Sequence, residues 1–288
     1  MYVPECVASH LGAWACEPSR LRAAVQAAKD RLLPMRQSVQ RVEGGVSFQT
    51  APEGVAIVGL DGVMMKGPSK FDGTVSTAMV RRTLRQLAGD DQVRAILLRV
   101  FSPGGYVDGT ADLAADVAAV AERKPIEAFI EDMGASAAYW VACQAEKVWA
   151  NATALVGSIG TYQVLWDQSK QFEAEGIRVH VISTGALKGA GEPGTEITPD
   201  VLEYETRLVK DLNAHFLAGV RKGRGMTPKQ VEAVATGEVW IAAKAKELGL
   251  VDGISTMDAV LERLAARGSK GSTARPRRAL AAYRVQRA

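Results

Sequence analysis

An α/β fold, with a mostly parallel sheet and helices on both faces, is what this sequence predicts. Two observations carry the expectation. Short apolar runs bounded by glycine, VAIVGLDGVM from Val55 and VRAILLRV ending at Val100, are each followed by a stretch with helical periodicity. The same alternation then repeats along the chain, and repeated βαβ units give a parallel sheet whose reactive loops lie at the carboxyl ends of its strands.

Taken in order, residues 17–33 (EPSRLRAAVQAAKDRLL) place Leu21, Ala24, Val25, Ala28, Leu32 and Leu33 on one helical face, and Pro34 closes the segment. After the first strand–helix–strand unit come a helix over 107–123, a strand over 126–130, a helix over 136–145 and strands over 148–150 and 177–182. Beyond Glu192 the chain turns helical. Thr198-Pro199 and Thr227-Pro228 each offer an N-cap followed by a proline tolerated at the first helical position, and the first starts a long helix to about Lys222. The expected organisation is a helical extension over 1–50, one folded domain over 51–266 and a basic flexible tail over 267–288.

The 288 residues are 47% hydrophobic and 23% charged, which supports a real core and argues against wholesale disorder. Three cysteines, Cys6, Cys16 and Cys143, match no metal-ligand spacing and leave one unpaired in any disulfide scheme, so a reducing compartment is the simpler reading. No apolar run reaches the roughly 18 residues that span a membrane, and neither signal peptide nor anchor is expected. The net charge of +3 hides an asymmetry. Seven bases and no acid fall in residues 267–288, and without them 28 bases face 32 acids, a balance of −4. Contact with nucleic acid is expected only through that tail.

Three glycine-rich loops follow apolar strands. In SPGGYVDG (102–109), Gly104 and Gly105 let the backbone approach a ligand closely and leave N–H groups unshielded, although a tight turn would use the same residues. In MGASAAYWVA (133–142), Ser136 stands where a strand passes into a helix, the placement of a nucleophile elbow without the G-x-S-x-G spacing; an ordinary capping serine is the alternative. A serine nucleophile needs a base. His10, His180 and His215 fall in the N-terminal segment, an apolar run and a helix interior, which disfavours a Ser-His-Asp triad. The third loop, STGALKGAGEP (183–193), instead supplies Lys188 among small residues. A lysine amine accepts a proton only when neutral, and desolvation disfavours the ammonium. Ser158 in LVGSIGTY (155–162) could orient that amine, or Gly157 and Gly160 could only mark a turn.

These loops in this order, with the segment GEVWIAAKAKELGLVDGI (237–254), resemble the signal peptide peptidase A family of serine peptidases, especially the branch of bacteriophage head-maturation proteases. The resemblance runs from about Val55 to Leu264. It implies a Clp-protease/crotonase-type ββα superhelix, Ser136 as nucleophile and Lys188 as general base. Ala137 with Gly104 and Gly105 would form the oxyanion and substrate-binding backbone, and Ser158 would assist the lysine. It further implies no cofactor, a cyclic homo-oligomer, and capsid, scaffold or portal subunits as substrates in the host cytoplasm or within a procapsid. A peptidase of other peptides, a crotonase-fold acyl-CoA enzyme and a noncatalytic assembly protein stay open as other readings.

Overall fold

The computed structural model describes residues 14–16, 48–67 and 73–268. The helix expected over 17–33 and most of the basic tail lie outside the described residues.

The chain order is β1 (Trp14–Cys16), β2 (Phe48–Ala51), β3 (Val55–Asp61), β4 (Val63–Met65), β5 (Thr74–Ser76), α1 (Thr77–Gly89), β6 (Ala95–Ser102), β7 (Gly104–Tyr106), α2 (Thr110–Ala121) and β8 (Ile126–Ala135). It continues with α3 (Ala137–Ala142), β9 (Lys147–Ala150), β10 (Leu155–Gly157), α4 (Ser169–Ala174), α5 (Pro199–Arg224), α6 (Pro228–Val234), β11 (Val239–Ile241), α7 (Ala242–Glu247), β12 (Gly253–Ile254) and α8 (Met257–Gly268).

The larger sheet runs β11-β10-β8-β6-β3-β2, with β9 beside β8 and β12 beside β9. Pairing is parallel through β3, β6, β8, β9, β10 and β12, and antiparallel only where β2 and β11 join. The strands are short apolar runs whose successive residues face opposite sides. Ala56, Val58, Leu60, Ile96, Leu98 and Val100 therefore enter one core, together with Val80, Leu84 and Leu87 of α1 and Leu113, Val117 and Val120 of α2. Val55, Ile57, Ala95 and Leu97 enter a second core beneath Val260, Leu261 and Leu264 of α8. Burying each of those aliphatic side chains contributes about 1.5–3 kcal/mol, so α8 is fixed to the sheet mainly by its apolar stripe. The buried Glu127 carboxylate adds direction: Arg263, Arg267 and the Trp149 indole N–H all donate to it.

Arg267 therefore belongs to the folded body, although its charge and position group it with the tail. At the other end, the residues of 1–50 that the structure describes are β1 and the start of β2. Another difference is at 177–182. IRVHVI alternates like a strand, yet it pairs with no strand among the described residues and Ile182 is 99% exposed. A strand needs a sheet edge, and β11 has taken the edge beside β10.

The long helix meets its expected start and nearly its expected end. Thr198 Oγ1 accepts from Val201 N–H, and Gly225 closes α5 at φ 62°. Thr227 and Gln230 form a full capping box on α6. Gly219 and Gly223 let α5 approach α3 closely: a Cβ at Gly219 would fall 2.1 Å from Trp140 Nε1, and one at Gly223 2.2 Å from the Cys143 carbonyl oxygen. Trp140 stacks on Phe216 at 5.0 Å between ring centroids. α5 thereby clamps the short helix that follows Ser136.

Candidate active site

The three central strands β6, β8 and β10 end side by side, and each passes into one of the loops singled out in the sequence. Ser102 of β6 pairs with Gly134 of β8, and Ala135 of β8 pairs with Gly157 of β10. The turns bearing Gly104 and Gly105, Ser136, and Ser158 are thus neighbours at the carboxyl edge of the sheet.

Ser136 is the single residue between β8 and α3. Its backbone sits at φ 54°, ψ −124°, a conformation that side chains rarely adopt. The turn is held at both ends, since Ser136 N–H donates to Gly157 O at 2.7 Å and Ser136 O accepts from Trp140 N–H at 2.9 Å. The side chain caps nothing: Oγ is buried and has no hydrogen-bond partner among the described residues. The capping alternative therefore fails at this position, and what stands there is a strained strand-to-helix elbow. The following residue, Ala137, is fully buried and occupies the first turn of α3, where backbone N–H groups have no intrahelical acceptor.

Gly104 and Gly105 form β7, a strand of the smaller sheet, which runs β1-β7-β4-β5. Gly104 takes φ 97°. Gly105 packs so closely on β4 that a Cβ would lie 2.1 Å from Met64 O. The neighbouring Ser102 went unnoticed in the sequence, yet it is fully buried and braces the turn, donating to Gly62 O at 2.6 Å and accepting from Gly104 N–H at 3.1 Å. Its signal was a serine two residues ahead of a glycine after a strand, a common local hydrogen-bonding arrangement.

Ser158 is also buried with a positive φ of 51°, and its N–H donates to Glu238 O at 2.6 Å. A side chain at Gly157 would strike Trp240 and the Glu238 carbonyl, so that glycine is required by packing.

Lys188 is placed differently. It is exposed, in a series of turns over 184–195 in which Lys188 N–H donates to Gly185 O and Ala190 N–H to Leu187 O. These turns belong to an arm over 163–197 that carries Val164, Trp166, Ile177, Val181 and Ile182 exposed to solvent. The desolvation expected around the lysine is not supplied by the described residues of one chain. His180 and His215 are exposed as well. Among the described residues no cluster of three or more His, Cys, Asp or Glu could hold a metal ion, and no helix is long and apolar enough to cross a membrane.

A parallel sheet with two-sided helices and a strained serine elbow at its carboxyl edge defines an α/β protein of the Clp-protease/crotonase type. In keeping with this, an enoyl-CoA hydratase/isomerase family protein from Silicibacter pomeroyi has the same fold, with a TM-score of 0.50 at 15% identity, covering 79% of this chain and 84% of that one. The model of peptidase family S49 matches residues 118–270. The chain belongs to peptidase family S49, and Ser136, Ser158 and Lys188 all fall inside the matched segment. It is 32% identical to the MJ0651 chain of Methanocaldococcus jannaschii, over 63% of this chain and 58% of that one. It is 29% identical to Protease 4 of Salmonella typhi, over 73% of this chain and 34% of that one. Capsid assembly protease C of Escherichia phage lambda is also 29% identical, over 72% and 48%. The chain thus spans between about a third and three-fifths of the length of these relatives.

Proposed function

We propose that this chain is a serine endopeptidase with Ser136 as nucleophile and Lys188 as general base. The observation that carries the reading is the Ser136 elbow: a buried hydroxyl with no partner among the described residues, on a strained turn beside a backbone loop of glycines. Neutral Lys188 would remove the Oγ proton as Oγ bonds to a peptide carbonyl carbon, and the resulting ammonium would return that proton to the departing amine. Water would then release the acyl group from Ser136 by the same base. Since Gly104 N–H is already engaged by Ser102, Gly105 and Ala137 N–H are the donors proposed for the oxyanion. Ser158 would hold the lysine amine in line.

The exposed position of Lys188 leads to the second element of the proposal, a closed ring of identical subunits in which the arm over 163–197 packs on a neighbour. The exposed apolar side chains of the arm suit burial, and so do Leu202 and Leu208 on α5. Each active site would then join Ser136 of one copy to Lys188 of the next, and a head-to-tail interface closes such rings. With a capsid assembly protease among its relatives, the substrates we propose are capsid, scaffold or portal subunits during phage head maturation, cut in the host cytoplasm or inside the procapsid.

The experiment is co-expression with candidate head proteins and mass spectrometry of the new termini, using Ser136→Ala and Lys188→Arg as controls. New termini should appear with the unaltered chain and be absent from both variants, because guanidinium retains its proton and cannot replace the amine. Equal cleavage by folded Ser136→Ala protein would end the serine-peptidase reading.

A further inference from the structure

Strand β1 lies beside the proposed catalytic machinery. It is the terminal strand of the smaller sheet, and it pairs antiparallel with β7 in the register Trp14 to Tyr106, Ala15 to Gly105 and Cys16 to Gly104. The other side of β7 is occupied by β4, where Met64 faces Gly105. The backbone of residues 14–16 therefore runs along the remaining edge of the very glycines that adjoin the Ser136 turn.

A peptide bond offered to a buried serine has to arrive on an extended chain. A sheet edge holds an extended chain through main-chain hydrogen bonds, largely independent of sequence. Glycines at two of three positions make β7 an edge that offers backbone alone. We propose that Trp14–Cys16 of the same chain, paired along this edge of β7, acts as a tethered competitor of an extended substrate. The proposal rests on the reading of Ser136 and Gly105 given above. Three paired residues bind weakly on their own, but a tethered segment acts at an effective concentration on the order of millimolar. Dilute peptides would be held off, and substrates presented at high local concentration would displace the strand.

The test uses the full chain with Ala15→Pro and, separately, Cys16→Pro. Alternate N–H groups of an antiparallel strand face its partner, so one of the two prolines removes a paired donor. Amide exchange over 104–106 should speed up in that variant and slow again on adding the synthetic peptide GAWACEP, residues 12–18. With a fluorogenic peptide substrate the same variant should show a several-fold lower KM at unchanged kcat, and GAWACEP should inhibit competitively. Unchanged exchange in both variants would overturn the proposal. So would faster exchange with unaltered KM and no inhibition by GAWACEP, since the strand would then be structural only. If no form of the chain cleaves any peptide, the peptidase reading fails on its own account. Whether GAWACEP restores slow exchange then still decides if β7 is a peptide-binding edge.

Discussion

Ser136 holds a backbone conformation of φ 54°, ψ −124° that only a glycine would adopt freely, and its hydroxyl gains no hydrogen bond from the described residues in return. Such strain costs on the order of 1–3 kcal/mol and persists where surrounding contacts impose it, as the bonds to Gly157 and Trp140 do here. Ser136→Gly should therefore raise the urea midpoint by an amount equivalent to about 1–3 kcal/mol while abolishing cleavage; a destabilised glycine variant would refute the strain. Gly105 presents the opposite case. With Met64 O 2.1 Å from a new Cβ, Gly105→Ala forces β7 away from β4. Overpacking of this kind costs about 1–3 kcal/mol. Displacing the N–H proposed for the oxyanion should lower kcat by roughly 100- to 1,000-fold as well. Steady-state kinetics with a denaturation curve separates the two effects, and an alanine variant with full kcat would remove Gly105 from the oxyanion site.

Asp252, just before β12, ties three elements together. Its Oδ2 accepts from Val148 N–H of β9 at 2.8 Å and from Arg224 of α5 at 2.8 Å, while Lys147 donates to Oδ1 at 3.0 Å. Desolvation pushes this carboxyl up, but the bonds from Val148, Arg224 and Lys147 together outweigh it and hold it below the usual range. A carboxyl so lowered contributes stability that is present above its unfolded value and lost as pH falls through the folded one. Asp252→Asn should thus cost about 1–2 kcal/mol at pH 7 and progressively less as the solution is acidified below about pH 4. Urea melts at the two pH values check this, and a penalty that does not shrink in acid would contradict it. Elements of this kind were legible to different degrees. The parallel strands and the caps at Thr198 and Thr227 could be read directly because periodicity and capping are local. Segment 177–182 could not, since a strand also requires a partner and no described strand pairs with it. β7 was hidden for the converse reason: glycine has no strand preference, and only its neighbours β4 and β1 make GGY a strand. The Ser136 turn was visible as a serine between a strand and a helix, whereas the surroundings of Lys188 depend on what packs against an exposed arm.

On the scale of the whole molecule, that arm is the least self-sufficient part among the described residues. Trp166 is 65% exposed and Ile182 wholly so, on the same segment that carries the proposed base. If neighbouring copies complete each other, mixing Ser136→Ala with Lys188→Ala subunits under exchange should recover part of the lost activity, because some boundaries pair an intact serine with an intact lysine. Demonstrated exchange without recovery would place both groups within one subunit. All of these expectations depend on Ser136 being a nucleophile, and the direct measurement of that is covalent. The full chain is treated with a fluorophosphonate, digested, and the adduct located by mass spectrometry. The account predicts one adduct per active subunit, on Ser136, absent from Ser136→Ala; a labelled protein whose adduct lies elsewhere, or a peptide-cleaving chain with Ser136 unmodified, would contradict it.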